Sequence, residues 1–427
     1  MKKICSTFAA VALFAIVITF PVNAQKLNAD ELKIVEYIDK HFDDGLALLE
    51  RSVNIESPTE DLVGVKNVGM LYAKEFEELG MNVTWLDLPP EMKRAGHLWA
   101  ETKGKAGKRL LLLGHLDTVL KGEKYRREGN TAFGTGVADM KGGNLIIIQA
   151  LKALQSAGAL KDTQIIVLLT GDEEDSVDPV EVSRGAMIAA ARKSDFALSF
   201  EGTVLNTATV GRRGSSSWRL EVEGKTGHSG QVFREGMGYG AIFEASRILN
   251  EFRQTLVGEK YLSFNPSLFL GGTTVETKDT SGSATGKTNV VPAKVVVNGD
   301  LRFISEKQKQ SARDRMKEIV SKNLAGTKAT ITFFDGLPAM TPNEGNYNLL
   351  KQLDFASQDL GFGGVEALDP GERGAGDIAF ISDIVPSLDG IGMGGSRNTH
   401  AKGESGALDT FPMLTKRAAV LIYRLTR

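Results

Sequence analysis

Two histidines and a scattered set of acids stand in this chain where side chains can do chemistry. His115-Leu116-Asp117 closes an apolar run that begins at Arg109. A neutral imidazole ligates a divalent cation, and a carboxylate two residues on is placed to hold its other ring nitrogen. Phe133-Gly-Thr-Gly-Val-Ala-Asp139-Met-Lys-Gly-Gly143 sets a carboxylate at the start of a helical stretch, among glycines that suit close backbone approach. Gly171-Asp172-Glu173-Glu174-Asp175 follows a second apolar run, and Glu201 follows a third that ends at Phe200. Of two adjacent glutamates, one can ligate a cation while the other stays free as a base. Asn398-Thr-His400 lies after the glycine-rich stretch from Gly390 to Gly395. Singly, each has an ordinary reading: a satisfied core histidine, a helix cap, a solvated acidic loop. Together, two imidazoles and three or four carboxylates suit Zn²⁺, and Mn²⁺ or Co²⁺ less strongly. Five ligands sharing one carboxylate would hold two ions roughly 3.5–4 Å apart, an arrangement that implies hydrolysis. His41, in an amphipathic stretch, and His97, in a polar one, fit structural or surface roles.

The elements that must position these residues read as α/β. Arg109 to Gly114, Thr163 to Thr170 and Asp195 to Phe200 are near-continuous apolar runs, as expected of strands buried on both faces. Open α/β sheets bind ligands at the carboxyl ends of their strands, and here those ends carry His or acids each time. Helices are expected over Glu31 to Arg51, Val65 to Leu79 (stopped by Gly80) and Lys141 to Ala157, with a further strand over Met81 to Leu88. After about Gly211 the pattern changes. Trp218 to Val222, Tyr261 to Leu270, Val290 to Phe303 and Ala329 to Phe334 read as strands, and Met237 to Arg253 and Gln308 to Leu324 as helices. That βαββαβ order is an inserted α+β unit of the split-βαβ type, with Thr273 to Thr288 as a polar loop. The helix of Tyr347 to Leu360 then resumes the larger unit. The expected organisation is therefore a segment 1–24, a first part 25–212, an insertion 213–334 and a second part 335–427.

With 427 residues, 42% hydrophobic and 24% charged, the chain is long enough for two or three domains and is not disordered. Lys+Arg 51 against Asp+Glu 53 leaves no basic excess to hold a nucleic-acid backbone. Lys2-Lys3, the apolar run Ile4 to Phe20, and Val22 and Ala24 at the small-residue positions read as a signal peptide cut after Ala24. The alternative is an uncleaved anchor, since that run approaches the shortest membrane span. Cleavage removes Cys5, the sole cysteine, so the mature chain has no thiol chemistry. Export to the periplasm or exterior is expected, with no membrane contact after cleavage.

His115-Leu-Asp117, Gly136-Val-Ala-Asp139-Met-Lys-Gly-Gly, Gly171-Asp-Glu173-Glu174 and the final His400 resemble, in order and spacing, the di-zinc aminoacylase/carboxypeptidase family of metallopeptidases. The resemblance spans essentially the whole mature chain. It implies a zinc-exopeptidase fold: a mixed central sheet flanked by helices, with an inserted ferredoxin-like lid and dimerisation domain. It implies two Zn²⁺ per chain, with Co²⁺ or Mn²⁺ as substitutes. Asp139 resembles the bridging ligand, His115 and Glu201 the ligands of one ion, and Glu174 and His400 those of the other. Asp117 resembles the partner of His115, and Glu173 the catalytic base. A cis peptide is implied between Asp139 and Met140. In the insertion, His228 resembles the lid histidine that stabilises the oxyanion, in dimers often across the interface. Asn289 and Arg302 resemble lid residues that bind the substrate carboxylate, and Gly376 the glycine segment beside the substrate. Glutamate carboxypeptidases of the family carry a further lid arginine where this chain has Leu337. The implied activity is cleavage of an amide next to a free carboxylate in small peptides or N-acyl amino acids, by a homodimer. The alternatives are an N-acyl-amino-acid deacylase or dipeptidase on the same metals and, more remotely, a non-catalytic periplasmic binding protein.

Overall fold

The computed structural model describes residues 27–278 and 280–427; the expected signal segment and Cys5 lie outside the described residues. The apolar runs become strands of one sheet. In chain order these are β1 (Asn82–Leu86), β2 (His97–Glu101), β3 (Ala106–His115), β4 (Thr163–Thr170) and β5 (Phe196–Ser199). With the short strand Ser387–Leu388 they form a six-stranded sheet, ordered β1-β2-β4-β3-β5 and then Ser387–Leu388. β3, β4, β5 and Ser387–Leu388 are parallel; β2 runs against β4, and β1 against β2. The register pairs His115 with Thr170 and Leu113 with Ser199, so the residues that follow β3, β4 and β5 emerge along one edge.

Side-chain alternation explains why these runs carry no polar face. Leu110 and Leu112 of β3 and Ile165, Val167 and Leu169 of β4 enter one core. Leu111 and Leu113, with Ile166 and Leu168, enter another on the opposite face, against Met187, Ile378 and Ile381. The helix Gly142–Ser156 covers the first face and is itself enclosed by Ala29–Lys40, Phe42–Val53 and Phe411–Leu425. It is buried all round, from Gly142 to Leu151, rather than along a single stripe.

Two expectations are corrected. The stretch Glu31 to Arg51 is two helices, Ala29–Lys40 and Phe42–Val53, broken at His41. Lys40 ends the first and Asp43 and Asp44 begin the second, so the charges suit two helix dipoles while the apolar period runs on across the joint. His41 stacks on Tyr37 and its Nδ1 lies 2.6 Å from Asp44 Oδ2, an exposed local pairing. The polar stretch Thr273 to Thr288 is not a plain loop: Thr274–Lys278 and Ser281–Thr285 pair as an antiparallel hairpin. Thr and Val favour extended backbone even where composition reads as loop.

The βαββαβ unit forms as read. β6 (Gly214–Gly224), β7 (Ser263–Gly272), β8 (Lys294–Phe303) and β9 (Thr327–Asp335) make an antiparallel sheet ordered β7-β8-β6-β9. Ala241–Leu256 and Glu306–Ser321 pack on it over a separate core that includes Trp218, Phe252, Leu301 and Met316. Trp218 meets Phe252 edge-on at 5.9 Å and donates from Nε1 to the Asp300 carbonyl at 2.9 Å. Among the described residues, no helix is long and apolar enough to cross a membrane.

Glycines let the helix and strands close up beneath the prospective site. A Cβ on Gly143 would lie 2.0 Å from the Phe200 carbonyl oxygen, and one on Gly392 would lie 1.9 Å from the same atom. Both contacts are with backbone, which has nowhere to go. Gly143→Ala is therefore expected to destabilise the protein by about 1–3 kcal/mol, read as a lowered melting temperature. An unchanged melting temperature would contradict this packing.

Candidate metal centre

His115 ends β3 almost fully buried, and its Nδ1 faces Asp117: the Asp117 carbonyl oxygen is 3.0 Å away and carboxylate Oδ1 3.5 Å. Asp117 also accepts from Thr59 Oγ1 at 2.7 Å and from the N–H groups of Glu173 and Glu174 at 3.2 and 3.1 Å. This one carboxylate ties the end of β3 to the turn after β4. With acceptors on its Nδ1 side, the ring keeps its proton there and turns Nε2 into the cleft. Nε2 lies 3.2 Å from Asp139 Oδ1 and 3.7 Å from Glu201 Oε1. The other oxygen of Asp139, Oδ2, lies 3.0 Å from His400 Nε2, which is 3.2 Å from Glu174 Oε2. Donor atoms of His115, Asp139 and Glu201 all lie within 4.8 Å of one another, as do those of Asp139, Glu174 and His400. A third such group joins His115, Glu173 and Glu174.

Asp139 does not cap the following helix. That helix starts at Gly142 without a side-chain cap, and the Asp139–Met140 peptide before it is cis. Glu404 secures this turn instead, a residue the sequence analysis missed. Its buried carboxylate accepts from the N–H groups of Gly136 at 2.7 Å, Ala138 at 2.9 Å and Asp139 at 3.0 Å. The available signal was an acid four residues after His400.

The acidic turn is largely not a solvated loop. Asp172 is buried and bonds Arg184 Nη1 at 2.6 Å, while Asp377 takes Arg184 Nε at 2.7 Å and Thr170 Oγ1 at 2.8 Å. His97 is buried rather than superficial: its Nε2 lies 2.8 Å from the Ser183 carbonyl, and its Nδ1 accepts from Gly171 N–H at 3.3 Å. Between these braces, the Glu173 carboxylate has no hydrogen-bond partner among the described residues.

The electrostatics follow from burial. Loss of water pushes Glu173 well above the usual carboxylate range, and Glu201, Asp377 and Glu174 add to the push. Burial, then the charge of Asp139, takes Glu201 to about 8, and burial also raises Glu174 against the pull of His400. Burial works against the charge of Asp139 too, yet the bonds from His115 and His400 hold it well below its ordinary value. Burial would lower His115, but Asp117 and Asp139 outweigh it and raise it well above its ordinary value. His400 rises to about 10 through its bonds to Asp139 and Glu174. Crowded acids relieved only by extra protons, on the imidazoles and on the acids themselves, are a donor set for cations. Two divalent ions would relieve the same repulsion, and nitrogen with oxygen donors suits Zn²⁺, Mn²⁺ or Co²⁺.

A cleft of about 250 Å³ opens onto these groups. Arg212, Arg373, Gly374 and Ala375 form another part of its wall, and neither arginine was singled out from sequence. Arg212 donates to Gly374 and Ala375 carbonyls at 2.7 Å each and to Asp389 Oδ2 at 2.8 Å. A Cβ on Gly376 would stand 2.4 Å from Arg212 Nη1, so glycine is what lets this strip lie on the guanidinium. His228, Asn289 and Arg302 belong to the inserted unit, and none lines the cleft. His228 is exposed and accepts from Gly230 N–H at 3.1 Å; the next residue's N–H donates to the Asn289 carbonyl at 2.9 Å. Arg302 Nε is held by Asp300 Oδ2 at 3.0 Å.

Residues 111–424 match the model of peptidase family M20/M25/M40. The chain is 29% identical over 391 residues to carboxypeptidase G2 of Pseudomonas sp. (strain RS-16), covering 88% of each. It is 28% identical over 370 residues to succinyl-diaminopimelate desuccinylase of Acidovorax ebreus (strain TPSY), covering 81% of this chain and 89% of that protein. In fold it is similar to a tripeptidase of Staphylococcus aureus, with a TM-score of 0.68 at 18% identity over 90% of this chain and 99% of that one. It is also similar to an M20 family metallo-carboxypeptidase of Sulfolobus solfataricus, with a TM-score of 0.60 at 16% identity over 89% of this chain and 98% of that one. The chain belongs to peptidase family M20/M25/M40, as a dinuclear metallohydrolase acting on C–N bonds.

Two outcomes are expected of the centre itself. Metal binding must displace protons held by His115 and His400 and by acids raised as far as Glu201, so protons are released and apparent affinity climbs with pH through about 8, where Glu201 ionises, towards about 10, where His400 does. Calorimetric titration of the chelator-stripped protein in buffers of different ionisation enthalpy checks this; equal heats would refute it. Glu404→Ala orphans three N–H groups, lowering stability by about 1–3 kcal/mol and reducing bound metal by elemental analysis.

Proposed function

We propose that this peptidase is an exported di-zinc exopeptidase of the glutamate-carboxypeptidase type, which cleaves the amide next to a free carboxylate in small peptides or N-acyl amino acids. The observation that carries the reading is Asp139, whose two oxygens face two different histidines, at 3.2 and 3.0 Å. On that basis His115 and Glu201 hold one Zn²⁺, Glu174 and His400 the other, and Asp139 is shared. A bound pair supplies Lewis acidity to the attacking water and the scissile carbonyl.

The chain's own residues do the rest. Glu174 is engaged by His400, whereas the Glu173 carboxylate is unpaired beside the same cleft. Glu173 therefore takes the proton from the attacking water and returns it to the leaving nitrogen. Asp117 keeps His115 in the ligating orientation and, through the N–H groups of Glu173 and Glu174, fixes the turn that carries the base. His228, as oxyanion stabiliser, and Asn289 and Arg302, as carboxylate ligands, stand outside the cleft wall. Their use requires movement of the inserted unit or a second copy of the chain, which supports a homodimer through that unit. The exposed Phe233, Tyr239 and Phe243, which pack on one another close in sequence to His228, also favour an interface there. Export rests on the Lys2-Lys3 start, the apolar run and the Val22/Ala24 cleavage pattern. The names of the two relatives favour substrates with a carboxylate, and the sequence departure at Leu337 argues against a strict requirement for C-terminal glutamate.

The test is hydrolysis of a panel of N-acyl amino acids and dipeptides by the zinc-loaded enzyme, with a chelator control. Glu173→Ala is expected to cut kcat by about 10²–10⁴ while two metal ions per chain are retained. Full activity in that variant, or in the chelated enzyme, would remove the assignment.

A further inference from the structure

One cation in the cleft forms no ion pair among the described residues. Arg373 stands directly before Gly374-Ala375-Gly376 and is half-buried. Its Nε donates to Thr209 Oγ1 at 3.1 Å, and its Nη2 donates to the carbonyl of Gly202, the residue after Glu201. No carboxylate among the described residues forms an ion pair with it. The charges of Asp389, Glu201 and Asp139 reach it only at a distance: Asp389 is bonded instead by Arg212 Nη1 at 2.8 Å, its other oxygen staying unpartnered, and Glu201 and Asp139 face the candidate metal centre. Thr209 and Gly202 thus hold Arg373 forward, and its Nη1 has no hydrogen-bond partner among the described residues.

A guanidinium withdrawn from water without a fixed anion is an unfavourable arrangement that a ligand carboxylate offsets. The position suits such a ligand. The Gly202 contact sets Arg373 beside the Glu201 half of the centre rather than over its middle. A carboxylate on the carbon next to the scissile nitrogen lies only a few bonds from the carbonyl that must meet the cations. Arg302, the lid residue expected from the resemblance to take that carboxylate, is bonded through Nε to Asp300 and does not line the cleft. Arg212 is spent on the Gly374 and Ala375 carbonyls and on Asp389, which makes it a positioning residue for the strip that follows Arg373.

We propose that Arg373 is a specificity-determining residue, which binds the free carboxylate of the amino-acid half of the substrate through Nη1 from within the cleft wall. This rests on the proposed function, since it assumes a substrate with a carboxylate beside the scissile amide. It relocates part of carboxylate recognition from the inserted unit to the unit that carries the metals.

Equilibrium binding to the zinc-loaded Glu173→Ala protein tests it without turnover. The probes are N-benzoyl-alanine, its C-terminal amide, and N-succinyl-alaninamide, whose only carboxylate is on the acyl side. Adding Arg373→Met should weaken the acid by about tenfold or more and leave both amides within about twofold. Unchanged acid binding, equal loss for acid and benzoyl amide, or loss for the succinyl amide instead would overturn the proposal. If Arg373→Met does not fold, Arg373→Lys retains the charge without the fork and should weaken the acid alone, by less. An unaltered acid-to-amide ratio in that variant overturns the proposal equally. Turnover of the substrate panel by the unmutated enzyme is read separately, so failure of the activity and failure of Arg373 as its carboxylate ligand are distinguishable.

Discussion

Like charges held together out of water are the constraint on which this structure depends. Asp139, Glu173, Glu174 and Glu201 converge at the carboxyl edge of a sheet whose two faces are both apolar. Carboxylates so placed repel one another and lose hydration, a combination that a fold tolerates only with compensation. The chain supplies part of it through His115 and His400, one on each oxygen of Asp139. What remains is a strong field for divalent cations.

Orientation of those donors comes from groups that do not themselves ligate. Asp117 receives a hydroxyl and two backbone N–H groups, and so couples the His115 strand end to the acidic turn. Glu404 gathers three N–H groups of the turn that presents Asp139. Arg184 spans Asp172 and Asp377 beneath the turn that carries Glu173. Such supporting contacts fix the direction of a ligand's lone pair and keep a base from drifting onto a wrong partner. They also explain the density of glycine here, since the Phe200 carbonyl meets Gly143 and Gly392 where a Cβ would collide.

The inserted unit has its own sheet and its own core, and none of its residues supplies a donor atom to the candidate metal groups. Chemistry and substrate recognition are accordingly separable. Acids and imidazoles lie in the unit built on the six-stranded sheet, and the histidine, asparagine and arginine expected to meet the substrate lie outside the cleft. Arg212 and Arg373 break that division, because they put positive charge in the cleft wall beside the acids.

Much of this was legible in the residues alone. Strands such as β4 announce themselves by unbroken apolar runs, the βαββαβ order by alternating periods, and most of the candidate donor groups by motifs at strand ends. The misreadings were local ones: a helix joint at His41 concealed by continuous amphipathic spacing, and a Thr/Ser-rich hairpin that composition disguised as loop. Glu404 and Arg373 left no comparable trace, since an isolated charged residue in a glycine-rich stretch carries no period. By itself, then, the sequence determined which groups exist and on which kind of element each sits, because propensity and periodicity act over a few neighbouring residues. Only the tertiary structure decided that His400 meets Asp139 across 261 positions and that, among the described residues, Glu174 is paired while Glu173 is not and Arg373 forms no ion pair. Those outcomes depend on distances and directions between remote segments, set by how the sheet's cores and the loops over its edge pack together.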